Sequence, residues 1–86
     1  MAVTLRYWAA AKEAAGMAEE EFSGPGTLAE LLAAAAARRP DDGRFVRVLD
    51  GCAFLVDGDP AGVRPREQVG LPAGAVVEAL PPFAGG

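Results

Sequence analysis

TLAELLAAAAARRP, residues 27–40, is the stretch of sequence that decides the fold. Thr27 and Glu30 form a capping box, in which the threonine hydroxyl accepts from the amide of the third helical residue while the glutamate reaches back. The apolar side chains that follow recur at helical spacing and make one narrow stripe: Leu28, Leu31, Leu32, Ala35 and Ala36. Pro40 ends the helix. A helix with so narrow and alanine-rich a face is expected to lie close against a sheet.

The sequence before this helix predicts two strands. Residues 2–8, AVTLRYW, alternate with the period of a half-buried strand. Residues 9–15 are strong helix formers that stop at Gly16, so they predict a short helical turn. Residues 19–23 then predict a second strand, which ends at the turn cluster Gly-Pro-Gly.

The sequence after the helix predicts further strands. Residues 45–49, FVRVL, are apolar but too short to classify, and 52–56, CAFLV, predict a central strand buried on both faces. Asp-Gly-Asp at 57–59 predicts a tight turn. Residues 61–74 are rich in proline and glycine and predict a loop, and 75–80, AVVEAL, predict the last strand.

This order, ββαββ with a short extra helix, predicts an α+β fold: a mixed sheet with one main helix on one face. The first and last strands are expected to lie side by side, because the helix crossover returns the chain to the middle of the sheet. The chain is expected to form one domain over residues 1–80, followed by a flexible, extended tail over 81–86.

The composition of the chain limits the classes of partner that it is expected to bind. The 86 residues carry a formal charge of -4, and the longest basic run is the pair Arg38-Arg39, which is most simply interpreted as favourable to a helix dipole. Such a chain lacks the clustered basic face that nucleic acid requires. A single cysteine excludes an intramolecular disulfide, and no leader or membrane-spanning run is apparent. We therefore expect a cytoplasmic protein that binds neither nucleic acid nor a membrane.

Ordinary catalytic groups are scarce in the sequence. Histidine is absent, which removes the usual general base and the commonest metal ligand. Cys52 sits in an apolar run and is expected to be inert core. No spacing of ligands suggests a metal site. The glycines at 24–26 lack the Gly-Lys-Ser/Thr of a phosphate-binding loop. An enzyme in its own right is the least favoured hypothesis.

The tail, LPPFAGG at residues 80–86, is where function is expected instead. Pro81 and Pro82 remove two amide donors and end the sheet ladder. Gly85 and Gly86 lack Cβ atoms, so they can pass through a narrow channel and bring a carboxylate close to another group. An extended exit, a slender tip and a free terminal carboxylate are the features that acyl chemistry needs.

A docking surface is expected beside this tail. If Val3, Leu5 and Tyr7 face the helix, then Trp8 and Leu80 lie on the open side of the sheet, with Phe83 projecting beside them. An exposed tryptophan with apolar neighbours is typical of a partner interface. The alternative is that the loop over 61–74 folds over these side chains.

The sequence resembles the MoaD/ThiS family of ubiquitin-like sulfur carriers, and within it the small subunits of molybdopterin synthases. The matching segments span almost the whole chain: LRYWAAAKEAAG (5–16), TLAELLAAAAARRP (27–40), FLVDG (54–58) and AVVEALPPFAGG (75–86). The resemblance implies a β-grasp fold. In one departure from the family pattern, Pro72-Ala73-Gly74 occupies the turn before the last strand, after a longer loop.

The resemblance also implies a mechanism. An E1-like enzyme would use ATP to adenylate the Gly86 carboxylate, and a sulfur donor would convert the adenylate to a thiocarboxylate. No cofactor would be bound by the chain itself. The tail would insert into the large, catalytic subunit of molybdopterin synthase and deliver sulfur to cyclic pyranopterin monophosphate. The residues expected to meet partner proteins are Trp8, Leu80, Pro81, Pro82, Phe83, Ala84 and Gly85.

Other functions are also consistent with the sequence. Sister carriers supply sulfur for thiamine, cysteine or tRNA thiolation, although thiamine-type carriers usually lack the first helical turn predicted by AAAKEAAG. A ubiquitin-like modifier that forms isopeptide bonds with lysines would use the same tail. A plain interaction domain would end in two glycines by accident.

Overall fold

The structure, a computed structural model, describes residues 2–82. Strands and helices follow one another along this range with one 3₁₀ turn, over Arg66–Gln68. The elements, in chain order, are β1 (Ala2–Tyr7), α1 (Ala9–Ala15), β2 (Glu19–Ser23), α2 (Leu28–Ala37), α3 (Gly43–Asp50), β3 (Ala53–Val56), β4 (Asp59–Pro60) and β5 (Val76–Leu80).

The strands form one mixed sheet in the order β2-β1-β5-β3-β4. β1 and β5 are parallel neighbours, and the other pairs are antiparallel. The expected adjacency of the first and last strands is therefore confirmed. The register pairs Leu5 with Val77 and Tyr7 with Ala79, so inward-facing side chains stand side by side on the face that the helices cover. All four are at most 1% exposed.

Helix α2 begins as its capping box predicts. The Thr27 hydroxyl accepts from the amide of Glu30 at 3.2 Å. The Glu30 carboxylate reaches back to the amide of Gly26 at 2.7 Å, one residue before the expected partner. The predicted apolar stripe packs into the core through Leu31 and Ala35, both 0% exposed. A leucine buried in this way contributes about 1.5–3 kcal/mol by removal of its apolar surface from water.

Residues 45–49, which sequence patterns leave unclassified, belong to a second packed helix, α3. The Asp42 carboxylate caps it by accepting from the amide of Phe45 at 2.9 Å. Phe45 and Leu49, four residues apart, are 1% and 3% exposed. The Phe45 ring meets that of Tyr7 edge-on, with 5.7 Å between centroids. An aspartate cap followed by an apolar pair at i and i+4 is the signal that identifies this helix.

The expectation that β3 is buried on both faces is wrong. Phe54 is buried, but Ala53 is exposed and Leu55 and Val56 are half-buried. β5 holds the centre of the sheet, and β3 is flanked by the two-residue β4. Because the helices cover only one face, alternate residues of β3 look toward the open side. An apolar run of this length does not distinguish one covered face from two.

The turn and the loop that follow β3 make their hydrogen bonds away from Trp8. Asp57 and Gly58 both have positive φ, 50° and 87°, as a type I′ hairpin turn requires, so the predicted tight turn is confirmed. The loop bonds to the start of helix α2, where the Leu28 amide donates to the Val69 carbonyl at 2.9 Å, and to the start of β1, where the Gly74 amide donates to the Ala2 carbonyl at 3.0 Å. Trp8 stays 44% exposed.

The part of the chain that the structure describes contains no helix long and apolar enough to span a bilayer.

Candidate functional site

The sheet has two unlike faces, and the candidate site lies on the one that the helices leave uncovered. β1 and β5 alternate between fully buried residues and half-buried ones. The half-buried set on these strands and on β3 mixes apolar with polar side chains: Thr4, Arg6, Leu55, Val76, Glu78 and Leu80. This face stays open because no second layer covers it in residues 2–82.

Trp8 stands where β1 turns into α1. Its amide donates to the Ala79 carbonyl at 3.2 Å. Its indole Nε1 donates to a Glu78 carboxylate oxygen at 3.0 Å. Ala9, the next residue, has a positive φ of 49°, a strained conformation for a residue with a Cβ. The sharp turn and the two hydrogen bonds therefore fix the indole beside the last residues of β5.

The sheet ends at the root of the tail. Leu80 is paired with Ala53 at the last register position of β5. Pro81 is half-buried and Pro82 exposed, and neither has an amide hydrogen to extend the ladder. The structure thus brings Trp8, Leu80, Pro81 and Pro82 to one end of the sheet. The other candidate residues, Phe83, Ala84, Gly85 and Gly86, lie outside the described range.

Charged groups cross this face in one row. Arg6 pairs with Glu19 on β2, with 3.0 Å between Nε and Oε1, and stands opposite Glu78 on β5. The side chains of Arg6 and Glu19 are 39% and 51% exposed, so solvent screens the pair and it contributes at most about 1 kcal/mol. Its effect is on the charge pattern that a partner meets rather than on stability.

A cleft of about 320 Å³ opens next to Trp8, between the end of β1, helix α1 and the start of β2. Its lining residues are Arg6, Tyr7, Trp8, Lys12, Ala18 and Glu19. Two side chains that line it are cationic and one is anionic, so the cleft is locally positive in a chain of formal charge -4.

A buried charged cluster behind the sheet is the main feature that sequence reasoning misses. Glu20, whose side chain is 6% exposed, lies 2.7 Å from Arg39 and 3.1 Å from Arg38. The Tyr7 hydroxyl donates to the same carboxylate at 2.5 Å. Arg38 and Arg39 therefore tie the end of α2 to β2, a more specific role than the helix-dipole effect expected of them. The sequence does contain a signal for this cluster: Glu20 and Phe22 are two residues apart in β2, so both side chains face the core. A buried carboxylate needs charged or hydrogen-bonding partners.

This cluster shifts two pKa values. Burial alone would raise the pKa of Glu20, but hydrogen bonds from Tyr7, Arg39 and Arg38 outweigh burial and hold it below its usual value. Burial raises the pKa of Tyr7 well above its usual range, and the bond to the Glu20 carboxylate raises it further. Glu20 is therefore a structural anion with every oxygen engaged.

Cys52 is a core residue. It is 7% exposed, and its thiol donates to the Val48 carbonyl at 3.2 Å. Burial raises the pKa of this thiol to about 11, although the charge of Arg66 opposes the shift. A thiol with so high a pKa is a poor nucleophile at neutral pH. Within residues 2–82, histidine, cysteine and carboxylate side chains form no group that could hold a metal ion.

A mixed sheet with its first and last strands parallel at the centre and helices on one face is the ubiquitin-like β-grasp fold. The chain belongs to the ThiS family, whose model matches residues 5–86. The same fold occurs in solved structures of small archaeal modifier protein 1 and of a molybdopterin converting factor subunit 1.

Solved structures with this fold include the small archaeal modifier protein 1 from Methanosarcina acetivorans, at a TM-score of 0.80 and 20% identity, covering 99% of this chain and 96% of that one. A putative molybdopterin converting factor subunit 1 from Pyrococcus furiosus matches at a TM-score of 0.75 and 22% identity, covering 96% of this chain and 99% of that one. A chain in a complex of subunits 1 and 2 of molybdopterin-converting factor from Helicobacter pylori matches at a TM-score of 0.66 and 22% identity, covering 100% of both chains. No curated protein matches the sequence.

Proposed function

We propose that this protein is the sulfur carrier subunit of molybdopterin synthase, and that it carries sulfur as a thiocarboxylate on Gly86. The observation that carries the proposal is the exit of the chain from the sheet. β5 lies at the centre of the sheet and ends at Leu80, and Pro81-Pro82 follow directly. The family match extends through the two glycines to residue 86.

The proposed chemistry explains why the chain needs so few reactive groups. A carboxylate is a poor acyl donor until one oxygen becomes part of a good leaving group. An E1-like enzyme would supply that group: a Gly86 carboxylate oxygen attacks the α-phosphorus of ATP, the bond to the β-phosphate breaks, and pyrophosphate leaves. A sulfur nucleophile would then attack the carbonyl carbon, and AMP would leave. The task of this chain is to present a slender carboxyl terminus to sites built by other proteins, and glycine suits such close approach.

The docking residues in this proposal are Trp8, Leu80, Pro81 and Pro82, continued by Phe83, Ala84 and Gly85. Trp8 supports it because its indole is 44% exposed yet held in place by Glu78. A large side chain that is already oriented loses little conformational freedom on binding. The Helicobacter pylori structure, in which subunit 1 is in complex with subunit 2, supports a large catalytic subunit as the partner. The E1-like enzyme is the second proposed partner.

A ubiquitin-like modifier is the second candidate function. It is favoured by the similarity to small archaeal modifier protein 1 from two organisms, at TM-scores of 0.80 and 0.78. The same activated Gly86 would then be transferred to lysine amines. Carriers for thiamine, cysteine or tRNA thiolation share the activation step and differ in the acceptor of the sulfur.

The test is reconstitution with the purified large subunit, an E1-like enzyme, ATP, a sulfur donor and cyclic pyranopterin monophosphate. The expected result is formation of the dithiolene product with the full chain and none with a chain lacking Gly86. Val63→Ala is the matched control, because Val63 is fully exposed on the distant loop. Product from the truncated chain would refute the carrier role. A thiocarboxylated full chain that yields no product would assign the sulfur to another pathway.

A further inference from the structure

Lys12 is the only lysine of the chain, since the other seven basic residues are arginines. An arginine guanidinium stays protonated and is not acylated under ordinary conditions. Cys52, the one thiol, is buried. A chain proposed to carry its own activated acyl group therefore offers a single side-chain amine to acyl donors.

The position of Lys12 leaves this amine accessible. Lys12 is exposed on α1, and its backbone amide donates to the Trp8 carbonyl at 3.3 Å. Within residues 2–82 no carboxylate lies within ion-pair distance of it, because the adjacent Glu13 pairs with Arg44 at 3.2 Å and Glu19 with Arg6 at 3.0 Å. The side chain is free to meet an incoming group.

Lys12 also lines the cleft beside Trp8, which gives an incoming chain a place to lie. The cleft holds about 320 Å³ and is locally positive. The residues Ala84-Gly85-Gly86 are small and carry no charge except that of the carboxyl group. A small segment that ends in a carboxylate suits a locally positive cleft, and the net charge of -4 leaves few other positive surfaces for an anion.

We propose that Lys12 is an acceptor for the activated carboxyl terminus of a second copy of this chain, giving an isopeptide-linked dimer. The inference rests on the proposed activation of Gly86. The unprotonated Nζ of Lys12 attacks the carbonyl carbon of the acyl-adenylate. The new C–N bond forms as the bond from carbon to the phosphate oxygen breaks. AMP leaves with the electron pair, and the nitrogen releases a proton to water.

A second copy fits this reaction better than the tail of the same chain. Lys12 lies one helical turn from Trp8, close to the root of its own tail. Pro81 and Pro82 fix φ and favour an extended exit, so the four remaining residues would have to reverse direction to return to α1. The linked copy would lie beside Trp8 and Leu80, so that conjugation at Lys12 and docking by these residues exclude each other.

The experiment mixes two variants with the E1-like enzyme and ATP, without a sulfur donor. Lys12→Arg keeps the charge and the tail but has no side-chain acceptor. The chain lacking Gly86 keeps Lys12 but has no donor terminus of the right length. The expected result is a dimer, resistant to denaturant and reductant, from the mixture and from the wild type but from neither variant alone. Trypsin should release residues 7–38, uncut at Lys12, joined to residues 67–86.

Two readouts separate this inference from the proposed function. Pyrophosphate exchange with ATP reports activation of Gly86, and Lys12→Arg should leave it unchanged. Three results with normal exchange would overturn the second-copy inference and leave the carrier function standing. They are the absence of any dimer, a dimer formed by Lys12→Arg alone, and a monomer lighter by one water. Absence of exchange, with an enzyme competent on another carrier, would refute the activation step and the inference with it.

Discussion

The covered and open faces of the sheet come from the same strands but carry opposite kinds of residue. On the covered face, Leu5, Tyr7, Val77 and Ala79 are at most 1% exposed. On the open face, Arg6, Glu78 and Leu80 are half-buried and Trp8 is exposed. If the proposed function is right, stability depends on one set of alternate residues of these strands and partner binding on the other. Substitutions on the two faces should therefore change different measured quantities.

The largest loss of stability is expected on the covered side, at Leu31→Ala in α2. Leu31 is 0% exposed, and truncation of a buried leucine removes its transfer free energy and leaves a cavity, at a cost of about 3–5 kcal/mol. In a domain whose total stability is about 5–15 kcal/mol, this is a large fraction. Urea unfolding followed by circular dichroism measures it. A loss below 1 kcal/mol would show that the core repacks around the site.

A smaller loss is expected from Glu20→Gln, which breaks the cluster between β2 and α2. The expected cost is about 2–3 kcal/mol at pH 7, below the range for fully buried pairs because Arg38 is 47% exposed. The folded-state pKa of Glu20 is lowered. Its contribution is therefore present above the unfolded pKa of about 4.3 and is lost as pH falls through the folded value.

The stability of the wild type and of Glu20→Gln should thus converge as pH falls below about 4. Unfolding by urea across pH 3–7 measures the difference between them. Glu21→Gln on the exposed phase of β2 is the matched control and should have little effect. A difference independent of pH would assign the loss to packing rather than to charge.

On the open face, Trp8→Ala should weaken binding of the large subunit by about 2 kcal/mol or more, as truncation of an aromatic interface anchor does. The same change should lower stability less than Leu31→Ala does, because the indole is 44% exposed. Calorimetric titration and thermal unfolding measure the two quantities, with Val63→Ala as the control. Unchanged affinity with a large fall in melting temperature would place Trp8 with the core instead.

The sequence predicts well where local chemistry determines structure. The capping box at Thr27, the alternation of β1 and the Asp57-Gly58 turn depend on neighbouring residues alone, and each is confirmed. Helix α3 is missed because its short apolar run is consistent with the periodicity of a helix and with that of a strand. β3 is misjudged because burial depends on which faces the helices cover, and that is a property of the assembled sheet.

In the candidate site, too, the local features can be predicted from the sequence and the long-range contacts cannot. The end of the sheet at Leu80 follows from two prolines in the sequence. The bond from Trp8 to Glu78 joins residues 70 positions apart, and the contacts of Glu20 with Arg38 and Arg39 cross between two elements. Such pairings depend on register and packing, which a single sequence does not specify.

The most direct test of the central claim is an intact-mass spectrum of the protein after incubation with its E1-like enzyme, ATP and a sulfur source. We expect a mass gain equal to the replacement of one oxygen by sulfur, mapped by fragmentation to Gly86. An unchanged mass, from an enzyme that activates another carrier in the same experiment, would contradict the claim that this chain carries sulfur at its carboxyl terminus.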